Sequence, residues 1–303
     1  MRKGEISSAS DSSLSAVIPI HQLSIRMSSL VEILKSAKGL NIEIILVLDS
    51  ASQTETIRLQ NELRKFDGAD IKIVRGVFGS AGFARNAGLK VCKSKWIAFW
   101  DSDDIPYPAQ YLRALENVDT QSIDLIVGAI QEKSINPTES PRVYLPSLSP
   151  KEIATYPGFT RFLYKSEYIQ GMQFKSYRMG EDICFLSDVL SQQPRIKVIN
   201  DLLYEYQVGR SFQSTQFQEN FKDLLNVVNH LINNSRIHLF SFDLNRQLAL
   251  RNFAGYLKHN KKFLNKHFLF TSLRLFELLM RKFRIRLSQS SPKSKPDKGN
   301  SYA

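Results

Sequence analysis

Cysteine and long apolar runs are scarce in this chain of 303 residues. Its two cysteines, Cys92 and Cys184, lie far apart and form no Cys-x-x-Cys pair. This argues against a disulfide framework and against a structural zinc site, and it fits a reducing cytosol. No run of about 18 apolar residues is present, so the sequence predicts no transmembrane helix. Residues 1–13 are rich in serine without an apolar core, which predicts a disordered lead-in rather than a secretory signal.

The chain is basic, with a formal net charge of +12 and a pI of about 9.6. This balance implies an anionic partner and leaves nucleic acid, a phosphorylated substrate and an acidic membrane surface open. Hydrophobic residues make up 43% of the chain and charged residues 23%, an ordinary globular composition. Much of the excess charge lies late in the chain, where Glu277 is the only carboxylate between Lys258 and Arg286.

In the first half of the chain, short apolar runs alternate with segments of helical spacing. Near-continuous apolar strands of this kind predict an α/β fold, a doubly wound, mostly parallel sheet with helices on both faces. We expect strands at 14–20, 42–48, 71–74, 96–100 and 123–130, and helices at 27–37, 54–66, 81–91 and 109–117.

The second half changes character. Five prolines between Ser134 and Pro157 predict a loop with a short hairpin near 142–145. A helix is expected at 182–190, followed by separate strands at 196–199 and 202–208. The remainder is expected to be an all-helical extension with helices at 221–232, 244–258 and 264–287, followed by a disordered tail from Ser288 to Ala303. These features place the sheet domain at 14–214 and the helical region at 215–287.

An apolar strand that ends in three aspartates is the most informative segment. Trp96–Trp100 leads directly into Asp101, Asp103 and Asp104. Residues two apart on a strand share a side, so Asp101 and Asp103 are expected to point the same way. Two such carboxylates at a sheet edge suit a Mg²⁺ ion that also binds substrate phosphate. The alternative is an ordinary aspartate-rich turn before Pro106.

Taken in order, several segments resemble the family 2 glycosyltransferases of the GT-A fold, over roughly Ser13 to Ser214. They are the strand end Ile18-Pro19-Ile20, the strand end Val47-Leu48-Asp49, the segment Gly82-Phe83-Ala84-Arg85-Asn86-Ala87-Gly88, the acidic run Asp101-Ser102-Asp103-Asp104, and the triplet Gly180-Glu181-Asp182. The resemblance implies an inverting, metal-dependent glycosyltransferase of hexosyltransferase type.

The resemblance also implies roles for single residues. Asp182 would be the catalytic base, and Glu181 would help shape the site. Asp101 and Asp103 would bind Mn²⁺ or Mg²⁺. Pro19, Asp49, Arg85 and Asp101 would line the site of a nucleotide-sugar donor, foremost a UDP-sugar. For Arg85, a surface helix position that pairs with sheet-end carboxylates is the alternative.

Two departures from the family pattern affect the donor site. The run Asp49-Ser50-Ala51-Ser52 lacks the second aspartate and the glycine that often follow the second strand. Gln207 stands where arginine is common, and we hypothesise that Arg210 takes over a phosphate-facing role.

The last predicted helix carries an apolar stripe. Its members recur at alternating steps of four and three: Leu269, Leu273, Phe276, Met280, Phe283 and Leu287. With the surrounding basic residues, this pattern is typical of a helix that lies on an anionic membrane surface. The alternative is that the stripe packs against the two preceding helices as ordinary core.

The function expected from the sequence is therefore glycosyl transfer to a glycan or lipid-linked acceptor in cell-surface polysaccharide or glycolipid synthesis. The location would be cytoplasmic, or peripheral on the inner face of the membrane. A non-catalytic nucleotide-sugar-binding relative and a basic nucleic-acid-binding protein remain alternatives, although strand-end carboxylates would repel nucleic-acid phosphates. A sugar nucleotidyltransferase would need a glycine-rich loop after the first strand, where Ile18-Pro19-Ile20-His21-Gln22 has none.

Overall fold

The computed structural model describes residues 12–209, 218–235, 239–259 and 266–290. The strands are β1 Leu14–His21, β2 Ile42–Asp49, β3 Ile71–Gly76, β4 Trp96–Phe99, β5 Ile105–Pro106, β6 Leu125–Ser134, β7 Arg142–Tyr144, β8 Phe162–Lys165 and β9 Ile196–Val208. The helices are α1 Leu23–Ala37, α2 Gln53–Leu63, α3 Ala81–Leu89, α4 Pro108–Glu116, α5 Pro150–Thr155, α6 Glu181–Leu190, α7 Leu224–Asn234, α8 Leu239–His259 and α9 Lys266–Ser290.

The described strands form one sheet in the order β3-β2-β1-β4-β8-β6-β9-β5, with β7 paired to β6. Strands β1 to β4 are parallel, and β9 is parallel to β6. Strand β8 runs antiparallel to both of its neighbours, β4 and β6, so β6 and β9 keep the direction of β1 to β4. The mostly parallel sheet predicted from the sequence is confirmed.

Helices cover both faces of the sheet because successive residues of each buried strand point to opposite sides. Ala16 and Ile18 of β1 pack in one core with α1, α2 and α4. Val17 packs in the other core with α3, α6 and the C-terminal helices. This two-sided arrangement is the doubly wound architecture expected from the near-continuous apolar strands.

Strand β9 differs from the prediction of two separate strands. It runs unbroken from Ile196 to Val208, and its pairing with β6 shifts register around Gly128 and Ala129. A Cβ at Gly128 would lie 2.5 Å from the Leu203 side chain and 2.8 Å from the Asp201 carbonyl oxygen, so the irregular pairing brings β9 close to the β6 backbone. Asn200 and Asp201 resemble a turn in the sequence, but here they lie within a bulged strand.

A buried polar seam attaches the helical region to α6. Ser187 donates a hydrogen bond to Asn245 Oδ1 at 2.6 Å, and Asn234 Nδ2 donates to Ser187 Oγ at 2.8 Å. Ser191, the residue that follows α6, shares a 2.8 Å hydrogen bond with Ser241. Helices α7 and α8 are thereby fixed against the helix whose first turn carries Glu181 and Asp182.

Helix α9 packs on its neighbours through a face other than the predicted stripe. Among the side chains of α9 that the structure describes, Thr271, Leu275 and Leu278 are buried. The stripe is exposed instead, with exposed fractions of 60% at Leu269, 56% at Leu273, 60% at Phe276 and 38% at Met280. The hypothesis that these stripe residues form ordinary core is therefore wrong, while the side chains of Phe283 and Leu287 lie outside the described part of the chain.

Two further predictions concern the chain ends. The predicted tail begins at Ser288, but α9 continues to Ser290; residues 291–303 and 1–11 lie outside the described residues. Among the described helices, we find no helix with the length and apolar character needed to cross a bilayer.

Candidate active site at the carboxyl end of the sheet

The crevice at the sheet edge opens where β1 and β4 separate. Their pairing ends at Val17 and Phe99. Pro19 lies beyond that point, buried and beside Val47 of β2. Because β1 and β4 no longer pair at this position, proline removes no backbone hydrogen bond between them, and the central strand tolerates it. Pro19 therefore lies at the carboxyl end of β1, just past the point where β1 and β4 separate, and its contact with a nucleotide stays a prediction.

Asp49, the last residue of β2, shapes the loop before α3. Its carboxylate accepts hydrogen bonds from the backbone N–H of Phe78 at 2.7 Å and of Gly79 at 3.2 Å. The hydroxyl of Ser50 donates to the same carboxylate at 3.0 Å, and Ser50 itself adopts a positive φ of 59°. Ser50 therefore supplies the left-handed turn after β2. The predicted contact between Asp49 and the nucleotide base is untested.

The acidic run after β4 is a turn rather than a continuation of the strand. Strand β4 ends at Phe99, and the Asp104 N–H donates to the Asp101 carbonyl oxygen at 3.2 Å. The period of two that was expected to align Asp101 with Asp103 therefore does not apply here. Each carboxylate has a different cation: Arg85 Nη2 lies 2.7 Å from Asp101 Oδ1, and Arg26 Nη1 lies 3.0 Å from Asp103 Oδ2.

Asp104 anchors this turn to β9. Its carboxylate accepts hydrogen bonds from the Tyr204 hydroxyl and the Gln207 N–H, both at 2.9 Å. Tyr204 Oη in turn accepts the Asp101 N–H at 2.9 Å. Burial raises the pKa of Asp104 well above its usual range, and the nearby charges of Asp101 and Asp103 raise it further. The third aspartate is thus a structural part of the site.

Arg85 joins the acidic turn to the start of α6. Its Nη1 donates to Glu181 Oε1 at 2.9 Å, while its Nη2 donates to Asp101. The guanidinium lies over the rings of Phe159 and Phe174, at 4.7 and 5.3 Å from their centroids. Burial disfavours its charge, but Asp101 and Glu181 outweigh that effect and raise the pKa of Arg85.

These contacts bear on the two hypotheses for Arg85, a surface residue that pairs with carboxylates and a residue near the nucleotide. It pairs with sheet-end carboxylates, as one hypothesis held, but it is buried rather than on the helix surface. Its proximity to the nucleotide, the other hypothesis, remains a prediction.

Neighbouring residues of the Arg85 segment hold a second loop in place. Asn86 Nδ2 donates to the Phe174 carbonyl oxygen at 2.9 Å, and the Phe174 N–H donates back to Asn86 Oδ1 at 2.8 Å. A Cβ at Gly82 would lie 2.5 Å from the Lys175 carbonyl oxygen, so only glycine allows this close approach. Gly82 and Asn86 therefore position Phe174, one of the two aromatic residues that enclose Arg85.

Glu181 and Asp182 form the first turn of α6, where the helix dipole favours carboxylates. The preceding Gly180 has a φ of 83°, and a Cβ there would lie 2.7 Å from Val227 of α7. Burial raises the pKa of Glu181 to about 7, with Asp182 adding to the effect and Arg85 opposing it. Burial also raises the pKa of the partly exposed Asp182, whereas Arg85 lowers it.

A family model described as "Glycosyl transferase family 2" matches residues 15–183, which is more than half of the chain and includes these segments. This chain is a family 2 glycosyltransferase.

Curated relatives are similar to this chain at low identity. The chain is 24% identical to the "Uncharacterized glycosyltransferase EpsJ" of Bacillus subtilis over 213 residues, covering 64% of this chain and 60% of EpsJ. It is 23% identical to the "Minor teichoic acid biosynthesis protein GgaB" of the same organism over 207 residues, covering 64% of this chain and 23% of GgaB. This family 2 glycosyltransferase thus spans less than two thirds of the length of either relative.

Solved structures confirm the GT-A type of fold. The S. aureus TarS 1-349 structure in complex with UDP-GlcNAc superposes with a TM-score of 0.65 at 16% identity, covering 85% of this chain and 79% of TarS 1-349. The mannosyltransferase PcManGT from Pyrobaculum calidifontis, in complex with GDP-Man and Mn²⁺, superposes with a TM-score of 0.55 at 10% identity, covering 95% and 92% of the two chains.

The carboxylates after β4 fit the coordination of a divalent metal ion that also binds a substrate. Asp101 and Asp103 offer carboxylate oxygens on one turn. Within the described ranges, no cluster of three or more histidine, cysteine, aspartate or glutamate side chains could hold a metal ion. Two carboxylates completed by phosphate oxygens are a usual arrangement for Mg²⁺, so the residues present fit that mode of binding.

Sequence reasoning missed several residues that build the site. Four residues contact the predicted site residues but are far from them in the chain: Arg26, Tyr204, Phe159 and Phe174. Buried charge demands a partner, so unassigned arginines and tyrosines near strand ends were the available signal. Arg210, predicted to face phosphate, lies outside the described residues.

Proposed function

We propose that this glycosyltransferase moves a sugar from a nucleotide-sugar donor to an acceptor hydroxyl by a metal-dependent, inverting displacement. The observation that carries the proposal is the Arg85 bridge. It holds Asp101, a candidate donor-side carboxylate, and Glu181, the neighbour of the candidate base, in a single ion-pair network. Donor and acceptor functions would then meet at one edge of the sheet.

On the donor side, Pro19, Asp49 and Arg85 are proposed to line the nucleotide site, and Arg210 is proposed to face the diphosphate. A UDP-sugar is the foremost donor class, supported by the UDP-GlcNAc complex of TarS. Asp101 and Asp103 would hold Mn²⁺ or Mg²⁺, which when bound neutralises charge that develops on the leaving diphosphate. The Mn²⁺ complex of PcManGT supports this assignment.

On the acceptor side, Asp182 is proposed to act as general base. The acceptor oxygen attacks the anomeric carbon while the bond from that carbon to the diphosphate breaks. The acceptor proton passes to the Asp182 carboxylate, and the nucleoside diphosphate leaves with the bonding electron pair. One displacement of this kind inverts the anomeric centre. The raised pKa of Asp182 makes its carboxylate a stronger base than an exposed aspartate.

A nucleotide screen tests the donor site. The thermal unfolding midpoint of the wild type would be measured with UDP, GDP, CDP and TDP, each with and without Mn²⁺. We expect one nucleotide to raise the midpoint by several degrees in the presence of Mn²⁺, because a ligand that binds only the native state stabilises it. The Asp103→Asn variant should lose this shift.

Asp119→Asn is the matched control, since Asp119 is an exposed aspartate that follows α4, away from the acidic turn. It should respond to the nucleotide as the wild type does. An absence of any shift in the folded wild type, or an unchanged shift in Asp103→Asn, would contradict the proposed donor site.

The acceptor is proposed to be a glycan or lipid-linked molecule of a cell-surface polymer. The teichoic acid relative GgaB supports a role in polysaccharide or glycolipid synthesis. The exposed stripe of α9 supports a location at the inner face of the membrane. Four apolar side chains face outward on a helix with several basic residues and one carboxylate, which suits an anionic lipid surface.

Sedimentation with phosphatidylglycerol vesicles at low salt tests the membrane surface. The full chain should sediment with these vesicles and less with neutral phosphatidylcholine vesicles. A Leu273→Glu, Phe276→Glu double variant should remain in the supernatant. Ile57→Glu, which alters an exposed apolar residue of α2, should sediment like the wild type. No sedimentation of the wild type, or full sedimentation of the double variant, would contradict this location.

A further inference from the structure

Helix α1, which directly follows β1, brings a cationic side chain to the acidic turn after β4. Gln22 turns the chain with a φ of 55°, and α1 begins at Leu23. Arg26, in the first turn of α1, places Nη1 3.0 Å from Asp103 Oδ2. The two side chains are largely buried, with exposed fractions of 12% for Arg26 and 18% for Asp103. The ion pair is therefore shielded from water far more than an ordinary surface pair.

The same helix also holds the backbone of the turn. Ser29 Oγ donates to the Ser102 carbonyl oxygen at 2.7 Å, and it lies 3.0 Å from the Arg26 carbonyl oxygen. Asp104 holds the far side of the turn through Tyr204 and Gln207. The acidic turn thus has protein partners on both sides.

A divalent ion at Asp103 would come close to the guanidinium of Arg26. Two cations that share one carboxylate repel each other, and partial burial strengthens this repulsion. A nucleoside diphosphate adds negative charge at the same place. The diphosphate can therefore compensate the charges of both the metal ion and Arg26. Without the diphosphate, the metal ion would bind a carboxylate, Asp103, whose charge Arg26 already neutralises.

On the basis of the function proposed above, we propose that Arg26 is a positioning residue that governs the order of loading. It holds Asp103 before the donor arrives, so the divalent ion binds together with the nucleoside diphosphate and only weakly by itself. Arg85 has a different part, because it is enclosed by two aromatic rings and binds two carboxylates at once.

Mn²⁺ binding measured by electron paramagnetic resonance tests this inference without an activity assay. The metal alone would be titrated into wild type, Arg26→Gln and Arg26→Lys, and then into the same proteins with each of UDP, GDP, CDP and TDP. For Mn²⁺ alone, we expect Arg26→Gln to bind at least about tenfold more tightly than the wild type, since a neighbouring positive charge has been removed. Arg26→Lys keeps the charge and should resemble the wild type.

Two further variants separate charge from structure. Arg195→Gln breaks the ion pair with Asp124, which lies before the first residue of β6, and should leave Mn²⁺ affinity unchanged. Arg26→Met removes the charge while keeping a long apolar stem, so it replaces Arg26→Gln if that variant does not fold.

Equal affinity of wild type and the charge-removing variants for Mn²⁺ alone would overturn the inference. If Mn²⁺ then still binds with a nucleotide, only the role of Arg26 fails. If no nucleotide promotes Mn²⁺ binding to the wild type, the proposed donor site itself fails. The two failures are therefore distinguishable in one data set.

Discussion

Proteins usually bury apolar side chains and expose charged ones. The carboxyl end of the sheet and the outer face of α9 depart from this rule in opposite ways. The first buries charged groups, with Arg85 and Glu181 almost fully enclosed. The second exposes apolar ones, including Leu273 and Phe276 at 56% and 60%. Neither arrangement favours the folded state by itself, because buried charges lose hydration and exposed apolar groups gain nothing from folding. Such positions are therefore candidates for binding partners outside the chain.

The two regions differ in how that cost is met. At the sheet edge the buried charges compensate one another through ion pairs between Arg85, Asp101 and Glu181. On α9 the stripe stays open to solvent in the part of the chain that the structure describes, and compensation would come from a lipid surface. Substitutions should therefore affect stability strongly in the first region and weakly in the second.

The largest expected effect follows removal of Arg85. Arg85→Met leaves Glu181 and Asp101 without their buried partner, and we expect a loss of about 3–5 kcal/mol in the free energy of unfolding, measured in urea. The paired variant Arg85→Met, Glu181→Gln should recover part of this loss because one uncompensated charge is removed. An Arg85→Met protein as stable as the wild type would show that the bridge is not a structural element.

A comparison of two leucines on α9 sharpens the contrast between its faces. Leu275 is buried and Leu273 is exposed on the same helix. Leu275→Ala should lower the free energy of unfolding by about 2–5 kcal/mol because it leaves a cavity. Leu273→Ala should change it by less than about 0.5 kcal/mol. Equal losses measured by urea unfolding would mean that the two faces are not packed as described.

The smallest expected effect on stability is a pH dependence from Glu181. Because its pKa is raised to about 7 in the folded protein, from 4.5 ordinarily, the folded state binds this proton more tightly than the unfolded state. Its contribution to stability is full below pH 4.5 and is lost as the pH rises through 7. Glu181→Gln should therefore lose less stability than the wild type over this interval. If the free energy of unfolding of the wild type and of Glu181→Gln changed equally between pH 4.5 and 8, the raised pKa of Glu181 would be contradicted.

Local patterns in the sequence were enough to predict most of the sheet. The buried strands of the first half are apolar without interruption, and the helices between them have clear periodicity, so β1 to β4 fall near their expected positions. The bulged strand β9 could not be predicted, because Asn200 and Asp201 resemble a turn and their strand geometry depends on pairing with β6.

The candidate site was predictable as a set of residues but not as a geometry. Resemblance selected Asp101, Asp103, Glu181 and Asp182 as candidate site residues. The partners of these residues come from distant segments: Arg26 of α1 pairs with Asp103, and Tyr204 of β9 accepts the Asp101 N–H. On α9, periodicity identified a stripe but could not tell which face packs, since Leu275 and Leu278 provide a second apolar face.

The most direct test of the account is the reactivity of an Asp182→Asn enzyme toward its donor. Nucleoside diphosphate release would be measured from sugar conjugates of the nucleotide that the screen identifies, beside binding of that nucleotide. If Asp182 is the base, the variant should keep wild-type nucleotide affinity and lose at least about 100-fold in release rate. The wild-type rate should also fall as the pH drops through the raised pKa of Asp182. An Asp182→Asn enzyme that releases nucleoside diphosphate as fast as the wild type would contradict the role of Asp182 as the base.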